Sequence, residues 1–118
     1  MDRIDTLIRD LEKASVSEER GVILDALTYA HASKWIDTAT FHNAQKMLHV
    51  GAFLSAVLVL VPEGWSIAGL WEAVQRKDRP WWGVNLRRDD PYKVLTVQGS
   101  TTPALGLSIA AIKARRGA

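Results

Sequence analysis

The side chains of this sequence with the greatest capacity for chemistry are three histidines, one serine–threonine run and two short acidic stretches. His31, His42 and His49 are widely spaced, the last two seven positions apart. Zinc on a helix calls for ligands at i, i+4, or for two close pairs completed by a carboxylate, and this spacing supplies neither. Ser100, Thr101 and Thr102 follow a glycine and precede a helix, so their backbone could hold an anion at the helix start. The same residue types cap helices in the ordinary way, and capping is the favoured expectation. Glu63, in Val-Pro-Glu-Gly-Trp, and the pair Asp89-Asp90 have turn composition; general acid–base work would need burial or a partner for them. No Gly-x-Ser-x-Gly elbow and no phosphate-binding glycine loop occurs. The expectation is no catalytic residue, no cofactor and no metal, with an enzyme of unknown class as a minor alternative.

The stretch Arg-Pro-Trp-Trp-Gly-Val-Asn-Leu-Arg-Arg-Asp-Asp, residues 79–90, invites a different chemistry. Arg79, Trp81, Arg87 and Arg88 could form an interaction surface, holding phosphates while Trp81 stacks on a base. Successive strand side chains point to opposite faces, so Trp82, Val84 and Leu86 share one face while Trp81, Gly83, Asn85 and Arg87 share the other. On the preceding strand the same alternation groups Trp65, Ile67, Gly69 and Trp71. All five tryptophans are expected to be packing residues; next comes a self-association patch around Trp81, since Trp and Arg are enriched in interfaces. A nucleic-acid module, helped by Lys113, Arg115 and Arg116, is the less favoured alternative. A net charge of +2 with acids and bases interspersed lacks the clustered stripe such modules carry.

The elements that must position these residues follow from periodicity. With 118 residues, 47% of them apolar and 24% charged, the chain is expected to be one soluble domain, residues 1–118. It holds no cysteine, which fits a reducing compartment. The charged, amphipathic start argues against a signal peptide, and the longest apolar run, 50–61, falls short of the roughly 20 residues that span a bilayer. A cytoplasmic protein without membrane contact is expected. Ile4, Leu7, Ile8 and Leu11 mark one helix, and Val22, Ile23, Ala26, Leu27 and Ala30 a second, capped by Ser17. Trp35, Ile36, Thr38, Thr40 and Phe41 are β-prone and allow a short strand; a third helix with Ala39, Phe41 and Leu48 inward fits less well. A buried helix spans Phe53–Leu60, ended by Pro62 and Gly64. Residues 65–74, 80–88 and 92–98 read as strands separated by turns. Thr102-Pro103 opens a last helix with Leu105, Ile109 and Ile112 inward. The fold class is α+β: helices on a three-stranded antiparallel meander, with room for a fourth strand.

Two stretches carry a resemblance. Leu-Asp-Ala-Leu-Thr-Tyr-Ala-His-Ala-Ser-Lys-Trp (24–35) is similar to a helix of small phage and prophage proteins of the phage ABA-sandwich family. The stretch 49–65, followed by Thr-Pro-Ala-Leu-Gly-Leu-Ser-Ile-Ala-Ala-Ile-Lys-Ala-Arg (102–115), resembles that family's third helix start and its closing helix. Where the family has Tyr-Ser/Thr, this chain has Val50, Gly51 and Ala52, which removes a side-chain cap. The resemblance implies an α-β-α sandwich and a phage or prophage setting. It carries over no catalytic residue or ligand. The expected role is a non-enzymatic accessory or assembly protein acting through protein contact, with another protein or with a second copy as a homodimer.

Overall fold

The computed structural model describes residues 2–73 and 81–117. The leading amphipathic stretch forms α1 (Arg3–Lys13), where the Asp2 carboxylate accepts from the Ile4 N–H at 3.1 Å and caps the first turn. Its stripe buries Leu7, Ile8 and Leu11. The second helix starts differently from the expected Ser17 cap. Ser15 donates its N–H and its hydroxyl to the Glu18 carboxylate, at 3.0 and 2.8 Å, and closes a 3₁₀ turn, Val16–Glu18. From there α2 (Glu19–Ala32) buries Ile23, Ala26, Leu27 and Ala30.

Residues 35–49 correct the strand expectation. They contain α3 (Thr38–His49), and the sheet has no fourth strand among the described residues. The decisive signal is Asp37, whose carboxylate accepts from the Thr40 N–H at 2.8 Å. With that cap in place, Phe41, Ala44 and Leu48 fall on one buried stripe and outweigh the β propensity of Thr38, Thr40 and Phe41. Ala39, expected inward, faces solvent.

Both helix ends that flank this region are Schellman motifs. After α2, Trp35 N–H bonds to Ala30 C=O and Lys34 N–H to His31 C=O, with Lys34 at φ 62°. After α3, Ala52 N–H bonds to Met47 C=O and Gly51 N–H to Leu48 C=O, with Gly51 at φ 84°. A short helix, α4 (Phe53–Val57), then runs into a 3₁₀ turn, Leu58–Leu60.

The tryptophan-rich half is the expected antiparallel meander, β1 (Trp65–Ala73), β2 (Trp81–Asp89) and β3 (Tyr92–Ser100), in the order β1-β2-β3. Two bulges set its faces. Ile67 pairs with Leu86 and Gly69 with Asn85, so Ala68 is an extra residue on β1. Trp82 pairs with Ser100 and Val84 with Val97, which leaves an extra residue on β3, where Gly99 stands at φ 84°.

The layering follows from α5 (Pro103–Gly117). Nearly every residue from Ala104 to Ala114 is buried, as expected for a helix apolar on all sides. One side of α5 lies on β2 and β3; the rest meets α1, α2 and α4. Gly106 permits the close approach, since a Cβ there would stand 3.1 Å from both Val84 Cγ2 and Ser100 Oγ. The fold is therefore α+β, with α5 as a middle layer between the sheet and the other four helices. The expected α-β-α order, with helices on both faces of the sheet, gives way to this arrangement. The physical reason is that α5 is apolar enough to be enclosed, whereas the far sheet face carries Asn85, Arg87, Asp89 and Thr96.

Candidate functional site

The sheet brings some of the candidate residues together and separates others. Arg79 lies outside the described residues. Trp81 is partly buried and faces away from α5, on the same side as Gly83, Asn85 and Arg87. Trp81 and Arg87 are six residues apart on one strand, about 20 Å. Arg87 pairs with Asp89 at 3.1 Å. Arg88 points to the opposite face, where its guanidinium covers the Trp65 ring at 5.1 Å and its Nε donates to Pro91 C=O. The two adjacent arginines therefore do not act on one surface. Of the C-terminal cations, Arg115 donates to Leu60 C=O at 2.7 Å and lies 5.2 Å from the Trp35 ring; partial burial lowers its pKa. Arg116 is ion-paired with Asp5.

The bulge at Ala68 splits the expected grouping on β1. Trp65, Ile67 and Leu70 sit opposite Arg88, Leu86 and Val84 on the helix side, while Trp71 sits opposite Gly83 on the far side. Only the start of this strand is well covered. Trp65 is 8% exposed and part of the core, but Ile67 is 40% and Leu70 37% exposed. Among the described residues β1 packs extensively against β2 alone, because α5 sits over β2 and β3. Among the described residues no strand pairs with its outer edge, a row of backbone donors and acceptors nine residues long with Glu72 as the single charged side chain. On the far face Val94 and Tyr92 of β3 are also exposed. Strand periodicity marks these positions, but a one-residue bulge and the reach of a covering helix decide their exposure, and neither is visible in a local pattern.

The residues with chemical capacity resolve mainly into structural contacts. Glu19 is buried, and the Thr102 hydroxyl donates to its carboxylate while accepting from Leu105 N–H at 3.1 Å. The anion at this helix start is therefore the protein's own Glu19, and Thr102 caps α5 as expected. His31 Nε2 and Thr38 Oγ1 share a 3.0 Å hydrogen bond, and the imidazole stacks on Phe41 with centroids 4.5 Å apart. The pair borders a shallow 450 Å³ cavity with Lys34, Trp35 and Asp37. A hydroxyl beside an imidazole is the first half of a nucleophile–base arrangement. The acid that would orient the ring is engaged elsewhere, because the Asp37 carboxylate caps α3. Donation by the Thr40 backbone N–H, then by its hydroxyl, holds the Asp37 carboxyl below its ordinary value, with His31 adding to the effect.

His42 and His49 both border an open groove of about 750 Å³ between α2 and α3, together with Arg20, Leu24, Lys46 and Val50. Seven residues along a helix separate the two imidazoles by about 10 Å, too far to share one ion. Among the described residues no group of three or more His, Asp or Glu is placed to hold a metal. No helix among them is long and apolar enough to cross a membrane. The groove escapes a reading of the sequence because it needs 35–49 to be helical. Comparison of the chain with protein-family models, with curated proteins and with solved structures finds no match.

Proposed function

We propose that this chain is a non-enzymatic binding protein that docks a protein partner, a second copy of itself in the first instance, along the outer edge of β1. The observation that carries it is that no described element covers β1: a nine-residue edge strand with exposed Ile67 and Leu70 on the side where β2 and β3 receive α5. Natural sheets blunt such edges with lysines, prolines, brevity or a bulge. Here the blunting rests on the Ala68 bulge and on Glu72. Strand addition would satisfy the unpaired backbone groups and cover Ile67 and Leu70 together. The resemblance to phage ABA-sandwich proteins adds an accessory or assembly role to the proposal.

The nucleic-acid alternative draws less support, since Arg87 is paired with Asp89 and Arg88 with Trp65 on opposite faces. The His31–Thr38 pair keeps an enzymatic alternative in view, with cleavage of an activated ester as its simplest assay.

Light scattering and sedimentation from about 10 µM to about 1 mM test the self-pairing, a range that covers weak to moderate homodimers. The expected result is a concentration-dependent dimer with slowed hydrogen exchange along residues 69–72. Leu70→Lys should return it to monomer with unchanged helicity. A monomer throughout this range, with β1 amides exchanging freely, would overturn the second copy as the partner.

A further inference from the structure

We infer that the groove between α2 and α3 is a second docking site, for an acidic amphipathic helix of a partner protein. The inference does not rest on the pairing of β1, because the groove is built by α2, α3 and the turn after α3. Among the described residues that line it, four, Arg20, His42, Lys46 and His49, are basic types and none is acidic. Between them Leu24, 37% exposed, and Val50, 77% exposed, offer apolar surface to solvent.

The residue spacing explains how the surface is made. Arg20 and Leu24 are one turn apart on α2; His42, Lys46 and His49 follow i, i+4, i+7 on α3, so each set lines one wall. Arg20 is held in place: its Nη1 donates to His49 C=O at 3.3 Å and its guanidinium lies 5.6 Å from the Phe53 ring. The structural account of Lys46 and His49 is their position in the last turn of α3, where cations meet the negative end of the helix dipole. That account covers neither Arg20 on the other wall nor Val50, left in solvent at the turn after α3. Exposed Leu24 and Val50, with Arg20 on one wall and His42, Lys46 and His49 on the other, complement a helix with leucines on one face and carboxylates on its flanks. Nucleic acid fits less well, since stacking on an aromatic platform is its usual anchor and no Trp, Tyr or Phe is among the described residues that line this groove.

The test uses the full chain, ¹⁵N-labelled, and three probes in about 50 mM salt, where surface charge is weakly screened. The first is a synthetic peptide of about 18 residues, long enough for marginal helicity, with leucines at i, i+3, i+4 and i+7 flanked by glutamates. The second replaces each glutamate by lysine, and the third is a single-stranded thymidine oligonucleotide. The glutamate peptide should shift the amides of Leu24, Lys46, His49 and Val50 saturably, and bind at least about tenfold tighter than the lysine peptide. Lys46→Glu and Val50→Asp should each weaken it at least about fivefold with far-UV helicity and the amide spectrum away from the groove unchanged. The inference is overturned by no binding up to about 1 mM, by shifts mapping elsewhere, by equal response to both peptides, or by displacement of the acidic peptide by the oligonucleotide.

Discussion

The indole of Trp71 occupies the space that a side chain on Gly83 would need. The two are direct cross-strand partners, and a Cβ on Gly83 would fall 2.3 Å from ring carbons Cε2 and Cζ2. A Cβ on Gly69 would meet the same ring and Asn85 Nδ2 at 3.6 Å, an ordinary contact distance. Asn85 in turn accepts from the Thr96 hydroxyl at 2.7 Å, so the uncovered face is closed by one aromatic ring and one polar pair. An aromatic ring shielding a cross-strand glycine is a known way to stabilise a glycine inside a sheet. Gly83→Ala should expel the ring into solvent, cost roughly 1–3 kcal/mol in urea unfolding, and red-shift the tryptophan emission. Unchanged emission would show that the strand had moved instead.

Two other glycines should respond with opposite signs to the same substitution. Gly106→Ala gains about 1 kcal/mol of helix propensity, but its methyl meets Val84 and Ser100, both buried and unable to yield. Overpacking of this kind costs about 1–3 kcal/mol, so the net change is a loss. Gly21→Ala, on the exposed face of α2 with nothing within 4 Å, should gain roughly 0.5–1 kcal/mol. Thermal unfolding of the two variants in parallel checks the pair.

The Schellman ends of α2 and α3 differ in the residue placed at positive φ. Lys34 holds a left-handed conformation that Gly51 holds without strain. Lys34→Gly should therefore raise stability by about 1 kcal/mol and Gly51→Ala lower it by a similar amount. Denaturant midpoints that shift with unchanged slopes would show a change in stability without a change in the surface exposed on unfolding.

Thr102 joins the starts of two helices, since its hydroxyl donates to Glu19 on α2 and accepts from Leu105 on α5. Thr102→Val keeps the shape, removes both bonds and leaves a buried carboxylate without its donor; a loss of roughly 2–4 kcal/mol is expected. Thr101→Val, which gives up one long bond to Ala14 C=O, should cost less. Urea unfolding ranks the two, and the reverse order would contradict the central role of the Glu19 contact.

Acid should reveal two capping carboxylates. Glu18 lies below its ordinary 4.5 because the Ser15 backbone N–H, and then its hydroxyl, donate to it. Asp37 lies below its ordinary 3.8 through Thr40. Both folded values are depressed, so their contribution is complete above the ordinary values and lost as pH falls through the folded ones. Stability should change little on their account from about pH 7 to about pH 5, then fall below about pH 4. Asp37→Asn retains an oxygen to cap α3 while removing the titration, so neutral stability should hold and the acid decline should become shallower. An acid limb parallel to that of the unaltered protein would count against this.

What the sequence reveals of the fold is what local chemistry controls. The meander follows from tryptophan- and valine-rich runs divided by Asp89-Asp90-Pro91, and the start of α5 from Thr102-Pro103. The helix over 38–49 is obscured because Thr38, Thr40 and Phe41 favour strands one by one, while the cap that tips the balance is a single aspartate just before them. The alternation on β1 is legible only as far as Ile67, since the bulge at Ala68 depends on register with β2. Of the candidate site, the face of Trp81 and the capping role of Thr102 could be derived from spacing. The α2–α3 groove and the bare edge of β1 could not, because both arise from how whole elements lie against one another.

The enclosure of α5 has a consequence for how the polypeptide is made. A ribosome delivers α1 to α4 first, then the three strands, and residues 103–117 after both. Until that segment emerges, the nascent chain carries an apolar helical surface and an apolar sheet surface with nothing to join them. The contacts that join the helices to the sheet wait on the final helix, and the edge of β1 is then accompanied by an open sheet face. Translation arrested before Pro103 should thus leave a species that chaperones hold and proteases clear, while the addition of one helix closes both surfaces in a single step.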